Sequence, residues 1–462
     1  MSQSMRVEKH ILNENNKFYK QLDEYSFKSK NLYNYANYQI RQVFIITSKL
    51  AKEEEISEEE KLFLEEVNIK VDQFNELKVS NFNKAKDKAK REGKEFKRKL
   101  FQMNYFSKDN KYLGYDFLEF LVKDGVDYKS LMAQTSQQCL KLLDKNWKSF
   151  FEAIKVWKRN KGAFSGMPRL PKYIKKNGRN IVIFTNQNCK LKDNKIKFPN
   201  ILGGFTLDTK VDNIQQVRIL PRNRHFVIEV IYKQEIKEIM QDNRRYLTID
   251  IGLNNLATIC NNVGVTPIVI NGKSLKSINQ YYNKQVSHYK EIAKRMNSLD
   301  YTRRINRITI KRNNKINDYL HKASKQIIEY AYELNCNTIV VGNNKDWKRD
   351  SNMSKKVNQN FVGIPHQKLI EMVQYKAEKY GTNVILVEES YTSGTSFLDG
   401  ELPVKENYDK SRRIHRGLFK SNSGTKINAD VNGAYQILKK EFPNAYANGI
   451  EGVGLHPIIV NC

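Results

Sequence analysis

Three acidic stretches in this sequence have the residue types and surroundings for metal-assisted chemistry. In residues 246–258, YLTIDIGLNNLAT, the apolar run Leu247-Thr248-Ile249 delivers Asp250 and then turns at Gly252. A carboxylate carried on a buried strand is costly unless it pairs or binds a cation. Glu388 and Glu389 follow the apolar run 384–387. Neighbours on a strand point to opposite faces, so at most one of this pair naturally turns toward Asp250. Asp430, in INADVNGAYQIL, falls in the first turn of a helix. Each stretch also has an ordinary reading: an Asp-Gly turn, a solvated strand end, an acid favoured at a helix N-terminus. Jointly, Asp250, one of the two glutamates and Asp430 fit an Asp/Glu/Asp set that holds two Mg²⁺ ions. One ion would activate a water and the other would stabilise a leaving 3′-oxygen.

The charge balance gives such a site a reason to meet phosphates. The 462 residues carry 80 Lys+Arg against 50 Asp+Glu, a formal charge of +30, with a pI near 9.6. Polyanions are the natural partners of such a chain, and 25 Tyr and 22 Phe add stacking surfaces for bases, although most aromatics in any protein fill cores. Mean hydropathy is −0.67 and no apolar run approaches the ~20 residues of a membrane span. The start, MSQSMRVEKHILNENNKF, shows no apolar signal segment. Five scattered cysteines form no C-x-x-C pair, which argues against a disulfide scaffold or a thiolate zinc site. A cytoplasmic protein, prokaryotic and nucleoid-associated in use, is expected.

The elements that must position the acids follow from pattern. Residues 7–12 suit one strand, and residues 25–161 are mainly helical. Ser57-Glu58-Glu59-Glu60 is a capping-box pattern opening one of these helices. On the helix containing KSKNLYNYAN, Leu32, Tyr35 and Ala36 are expected inward, while Lys30, Asn31 and Asn34 suit phosphates and base edges. The basic run 78–100 reads as a solvated helix, a linker or a phosphate-tracking arm. Two prolines, Pro168 and Pro171, put Arg169 and Lys172 on an extended loop. Alternating runs at 181–185, 190–198, 205–209, 216–220 and 225–232 predict a small antiparallel β-domain. After Asp250, strands at 256–260 and 267–270 predict a meander with the first strand. A long basic helix over 279–334, a strand over 337–342, a helix over 367–380 and the strand 384–387 follow. These β-α-β units predict a mixed sheet covered by helices.

The ordered set IDIGLNNLAT, NQNF…IP, VEESYTS and INADVNGAYQIL, preceded by GMPRLPKY, NGRNIVIFTNQ and KSKNLYNYAN, resembles the RuvC nuclease core and flanking regions of transposon-encoded TnpB. TnpB is a relative of the type V CRISPR effectors, and the resemblance covers nearly the whole chain. It implies an α+β multidomain protein with an RNase H-like (RuvC) mixed sheet and helices over residues 241–393 and 426–441. Around it come a helical recognition domain (25–161), a small β-barrel wedge domain (1–24 and 162–240), an insertion (394–425) contacting target nucleic acid, and a C-terminal tail (442–462). The implied activity is Mg²⁺-dependent, RNA-guided DNA endonuclease. Its partners would be a guide RNA and double-stranded target DNA beside a short motif, with base pairing supplying the remaining specificity; a monomer is favoured. Asp250 matches the first catalytic acid and Asp430 the last.

Two departures from that family stand out. Gly342 ends a strand where the family commonly places its middle glutamate, leaving room for a carboxylate reaching across from the neighbouring strand. Glu389 aligns with the acid just before Tyr-Thr-Ser and is favoured for that place, with Glu388 the alternative. The metal ligands are then Asp250, Glu389 and Asp430. The second departure is the lack of paired zinc cysteines in residues 394–425, so no zinc is expected. Its basic residues Arg412, Arg413 and Arg416 still suit nucleic acid. His321 and Lys322 fit either a helix surface or a phosphate contact, and Trp347, beside Lys348 and Arg349, either packs or stacks on a base. Two other readings compete: a nuclease-inactive RNA-guided repressor, and a guide-independent transposase of the RNase H class.

Overall fold

The computed structural model describes residues 2–297, 302–343, 363–447 and 454–462. Two compact units divide the chain, residues 5–233 and residues 1–4 with 234–462.

The first unit opens with strand β1 (Ser2–Asn13) and the helices α1 (Tyr19–Leu50), α2 (Glu58–Arg91), α3 (Tyr115–Val122), α4 (Val126–Lys129) and α5 (Ala133–Arg159). On α1 the residues Leu32, Tyr33, Ala36 and Ile40 are buried, whereas Tyr35 is 42% exposed. The inward tyrosine is therefore Tyr33, which lies in line with Asn37 one turn on; Tyr35 falls on the far side of that 3.6-residue period. Ser57 caps α2 with both halves of the capping box, and the basic run stays helical as far as Arg91. Strands β2 (Val182–Thr185), β3 (Lys190–Lys192), β4 (Lys195–Lys197), β5 (Thr206–Asp208), β6 (Ile214–Arg222) and β7 (His225–Ile236) follow.

Instead of one barrel, these strands make two sheets, of order β1-β7-β6-β2 and β3-β4-β5. The run 190–198 is a hairpin and not one strand. Asp193 and Asn194 take φ of +53° and +56°, the double left-handed turn that suits a two-residue connection. Helices and strands share one core, with Leu32 and Trp147 in the same cluster as Phe184 and Ile228. The boundaries expected at 24/25 and 161/162 thus do not separate independent cores, and the first falls inside α1.

In the second unit come β8 (Tyr246–Ile251), β9 (Asn255–Asn261), β10 (Ile268–Asn271), α6 (Lys273–Asn297), α7 (Arg303–Glu333), β11 (Thr338–Gly342), α8 (His366–Ala377), β12 (Asn383–Val387), β13 (Leu418–Lys420), β14 (Lys426–Asn428), α9 (Ala429–Glu441) and β15 (Ile458–Val460). Six of the strands form a mixed sheet ordered β12-β11-β8-β9-β10-β15. β11 runs parallel to both β8 and β12, and β8-β9-β10 is the antiparallel meander. Alternation sorts the two faces. Leu247, Ile249, Ile251, Ile339 and Val341 pack with Leu320 and Ile327 of α7 and Leu369 and Val373 of α8. Tyr246 and Val340 pack with Ile437 and Leu438 of α9. Asp250 shares the parity of Tyr246 and so belongs to the α9 face.

Two expectations are corrected here. The helical stretch over 279–334 is two helices, because Thr302 starts a new one by accepting the Ile305 N–H on its hydroxyl. Residues 442–462 are not merely a tail. Residues 458–460 pair in parallel with 268–270 as the sheet's last strand, and the Phe442 ring stacks on Tyr246 with centroids 4.1 Å apart.

Candidate active site

Four short segments bring the acids to one end of the sheet. Asp250 is the penultimate residue of β8. A Cβ on Gly252 would stand 2.6 Å from the Asn255 carbonyl oxygen, so the tight turn into β9 admits no side chain there. Asn255 opens β9 and donates its Nδ2–H to Asp430 Oδ2 at 2.6 Å. Asp430 sits in the first turn of α9, but Asn428 is the cap. Its Oδ1 accepts the backbone N–H groups of Asp430 and Val431 at 3.0 and 3.1 Å. The Asp430 carboxylate is therefore not used up in capping. α9 lies close over β8: a Cβ on Gly433 would stand 3.2 Å from Asp250 Oδ2.

Both glutamates fall just past the end of β12. Glu388 is exposed and Glu389 is partly covered. Gly342, at the end of β11, is where Glu389 finds its room. A Cβ there would lie 2.4 Å from Glu389 Oε1, 2.7 Å from its Cγ and 2.7 Å from Ile437 Cδ1. The turn after Glu389 is held locally. The Thr392 hydroxyl donates to the Glu389 carbonyl at 2.8 Å, and Tyr391 takes a left-handed φ of +67°, strained for an aromatic residue.

Burial and mutual repulsion dominate the electrostatics. Burial raises the Asp250 carboxyl well above its ordinary range; the charges of Glu389 and Asp430 add to this, and among the described residues Arg413 opposes it. Burial pushes Glu389 up to about 7. Arg413 reaches the cluster from the 394–425 insertion, with Nη2 3.3 Å from Asp430 Oδ1 and 3.1 Å from the Arg416 carbonyl. Among the described residues, no group of three or more His, Cys, Asp or Glu side chains stands arranged to hold a metal ion. Asp430 is instead turned to Asn255 and Arg413. In chemistry the three acids would suit Mg²⁺, since all their donors are hard carboxylate oxygens; Gly342 leaves the space that Glu389 occupies and Gly433 that of Asp250.

The residues expected to touch nucleic acid divide into two groups. Arg169, Lys172, His321, Lys322 and Arg416 are exposed and Asn31 is half-buried; Lys322 pairs with Asp318 at 3.0 Å. Three others are engaged inside the protein. Lys30 is 6% exposed and donates to the Lys176 carbonyl at 3.0 Å. Asn34 exchanges two 2.8 Å hydrogen bonds with the Ile174 backbone. Arg412 is turned into the insertion, with both Nη atoms on Glu401 at 2.7 and 2.8 Å. Lys30 and Asn34 thus pin the Pro-rich loop against α1, a long-range role that short-range pattern does not reveal. Trp347, Lys348, Arg349 and the NQNF stretch at 358–361 lie outside the described residues. Asn255 and Gly433 were not singled out from sequence. The doubled Asn in GLNN and the Gly inside a helical stretch, costly there, were the available signals.

Residues 229–348 match the family model OrfB_IS605, described as a probable transposase. Residues 366–437 match the Cas12f1-like TNB domain. A TnpB-like protein, ORF457 of Acidianus two-tailed virus, is 23% identical over 361 residues, covering 68% of this chain and 74% of that protein. A cryo-EM structure of a Cas12f1–sgRNA–target DNA complex aligns over 95% of this chain and 100% of that one, at 15% identity and a TM-score of 0.34. A crystal structure of Alicyclobacillus acidoterrestris C2c1 with single-guide RNA aligns over 88% and 69%, at 8% identity and the same TM-score of 0.34. Residues 229–348 are thus similar to a probable-transposase family, residues 366–437 to the TNB domain of Cas12f1-like proteins, and the chain to a TnpB-like protein over 361 residues.

Proposed function

We propose that this chain is an RNA-guided DNA endonuclease that hydrolyses phosphodiester bonds at Asp250, Glu389 and Asp430 in an RNase H-like unit. The observation that carries the reading is the convergence of three carboxylates, from β8, the end of β12 and the start of α9, with Gly342 leaving room for Glu389 and Gly433 for Asp250. Acids so placed repel one another and are desolvated, and a bound cation relieves both costs. Asp250, Glu389 and Asp430 would hold Mg²⁺, which when bound supplies an activated water and stabilises the leaving oxygen. Asn255 orients the Asp430 carboxylate through its 2.6 Å bond. Arg413 exchanges Asp430 for a backbone phosphate, a partner its planar guanidinium matches as well. A guide is what the TnpB resemblance implies; the similarity to a TnpB-like protein supports it, as does the net charge of +30, which suits a chain that binds a heteroduplex through its backbone.

A nuclease-inactive, guided DNA-binding protein is the second reading, favoured by the engagement of Asp430 with Arg413 and Asn255. Both are tested by purifying the protein with its co-purifying RNA, sequencing that RNA, and incubating the complex with Mg²⁺ and a plasmid library. Cleavage that chelation stops, and that Asp250→Ala lowers on the order of 10³-fold or more, is the expected outcome. Guided binding without cleavage selects the second reading, and absence of bound RNA sinks both.

A further inference from the structure

Zinc does not fit the insertion. Where the TnpB resemblance implies paired Cys-x-x-Cys ligands, residues 367–437 contain no cysteine and one histidine, His415. The segment nevertheless has a cationic centre. Arg412, with its side chain 13% exposed, donates to Glu401 Oε1 and Oε2 at 2.7 and 2.8 Å. It also donates to the carbonyls of Gly394 at 3.1 Å and Asn407 at 3.0 Å. Asp399 and Asp409 each approach within 3.9 Å, and the guanidinium lies 5.5 Å from the Phe419 ring centroid. One side chain therefore ties together six separate points between residues 394 and 419.

The residues around it are equally committed. Glu401 Oε2 accepts the Ser396 N–H at 2.6 Å, and Asp399 Oδ2 accepts the Asn422 N–H at 2.8 Å. The Tyr408 ring covers Gly394 so closely that a Cβ there would stand 2.5 Å from it. From α9, buried Asn432 bonds the Phe397 N–H and the Thr395 carbonyl at 3.0 and 2.8 Å, and Gln436 donates to the Glu401 carbonyl at 3.2 Å. The arginine's neighbour in sequence, Arg413, faces Asp430.

We infer that Arg412 does for this insertion what a structural metal does elsewhere: its fork of N–H donors gathers the 394–422 segment and so sets Arg413 against Asp430. Arg412 is thus a positioning residue that acts through Arg413. The first half of the inference is independent of the nuclease reading, and the second half rests on it.

Three measurements on the full-length chain test the inference. Protein purified from zinc-supplemented cells should contain far less than one zinc per chain by elemental analysis, and 1,10-phenanthroline should leave its melting temperature unchanged. Stoichiometric zinc whose removal loosens the insertion overturns the first half. In limited proteolysis, Arg412→Met should be cut within 394–425 about tenfold faster than the parent. Arg412→Lys, which keeps the charge but loses the fork, should fall between them, and Arg413→Met should match the parent. Equal rates for Arg412→Met and the parent also overturn the first half. Mn²⁺ affinity, read by electron paramagnetic resonance of the free ion, tests the second half without reference to cleavage. Releasing Asp430 should tighten Mn²⁺ binding about two- to fivefold in Arg413→Met, by the same factor in Arg412→Met, and no further in the double variant. Additive effects, or an effect in only one variant, overturn the positioning role. A parent that binds no Mn²⁺ sinks the nuclease reading and the second half together, while proteolysis still judges the first.

Discussion

Two groups of carboxylates in the second unit meet opposite electrostatic fates. Arg413 faces Asp430 at the edge of the cluster formed with Asp250 and Glu389; burial and the charges of Glu389 and Asp430 raise Asp250, and burial raises Glu389. Glu401, Asp399 and Asp409 surround Arg412. Burial alone would raise Glu401, but the Arg412 guanidinium and the Ser396 N–H outweigh it and hold the carboxyl below its usual range. Consecutive arginines serve the two groups, one facing each. In the first group burial and repulsion keep Asp250 raised despite Arg413, so a cation from outside would relieve it; the second sets three acids around one guanidinium. Acid count alone says nothing of a site's purpose, and the countercharge that sequence neighbours supply separates ligand from scaffold.

Removing one acid from each group gives the sharpest contrast. Glu389→Gln should lower Mg²⁺-dependent cleavage on the order of 10³-fold while raising metal-free stability at pH 8 by about 1–3 kcal/mol. Glu401→Gln should instead cost about 2–4 kcal/mol of stability, because it removes the carboxylate that pairs both Nη atoms of a largely buried guanidinium. Denaturant melts beside single-turnover cleavage check both, and stability changes of the same sign would erase the distinction. Next in size is Gly342→Ala. The new methyl would displace Glu389, and cleavage should fall about 10- to 100-fold with the unfolding transition still cooperative. Unchanged cleavage would mean that Glu389 does not act from that position.

Acidity offers a third, smaller handle. Folded chain keeps a proton on Glu389 up to about 7, whereas an ordinary unfolded glutamate releases it near ~4.3. Between those values the folded state binds more protons, so metal-free stability is fully present below the window and falls as pH rises through it. Glu389→Gln should flatten that decline, and so should saturating Mg²⁺. A metal-free stability that rose over the same window would contradict the assignment. Smallest is Glu388→Gln, which alters an exposed carboxylate. It should leave cleavage within about twofold and stability within ~0.5 kcal/mol, and a loss as deep as that of Glu389→Gln would return the choice between the two to an open question.

Much of the site was legible because chemistry there is carried by residue type. The β8 acid, the β12-end glutamates and the α9 acid can each be read from a short window of apolar pattern and charge, whereas the meaning of Gly342 comes from the TnpB resemblance. What escaped was whatever depends on a distant partner. Lys30 and Asn34 look like nucleic-acid residues until Lys176 and Ile174 appear beside them. Arg412 reads as one more cation in a basic run until Glu401 closes on it. The hairpin at Asp193-Asn194 was missed although its turn residues were in plain view, because apolar alternation continues straight through it. Strand β15 is three residues long and pairs with a segment far away in sequence, so no local period announces it.

That last strand bears on how the chain tolerates shortening. Residues 458–460 lie along β10 with Ile458 and Ile459 59% and 64% exposed, so the strand contributes its peptide groups to the sheet more than its side chains to a core. Cutting the chain after Glu441 would remove both this strand and the Phe442 ring from Tyr246. It would leave the N–H and C=O groups along one side of β10 without partners, a template for pairing with another chain. Such truncations should fail by self-association in solution before they fail in chemistry.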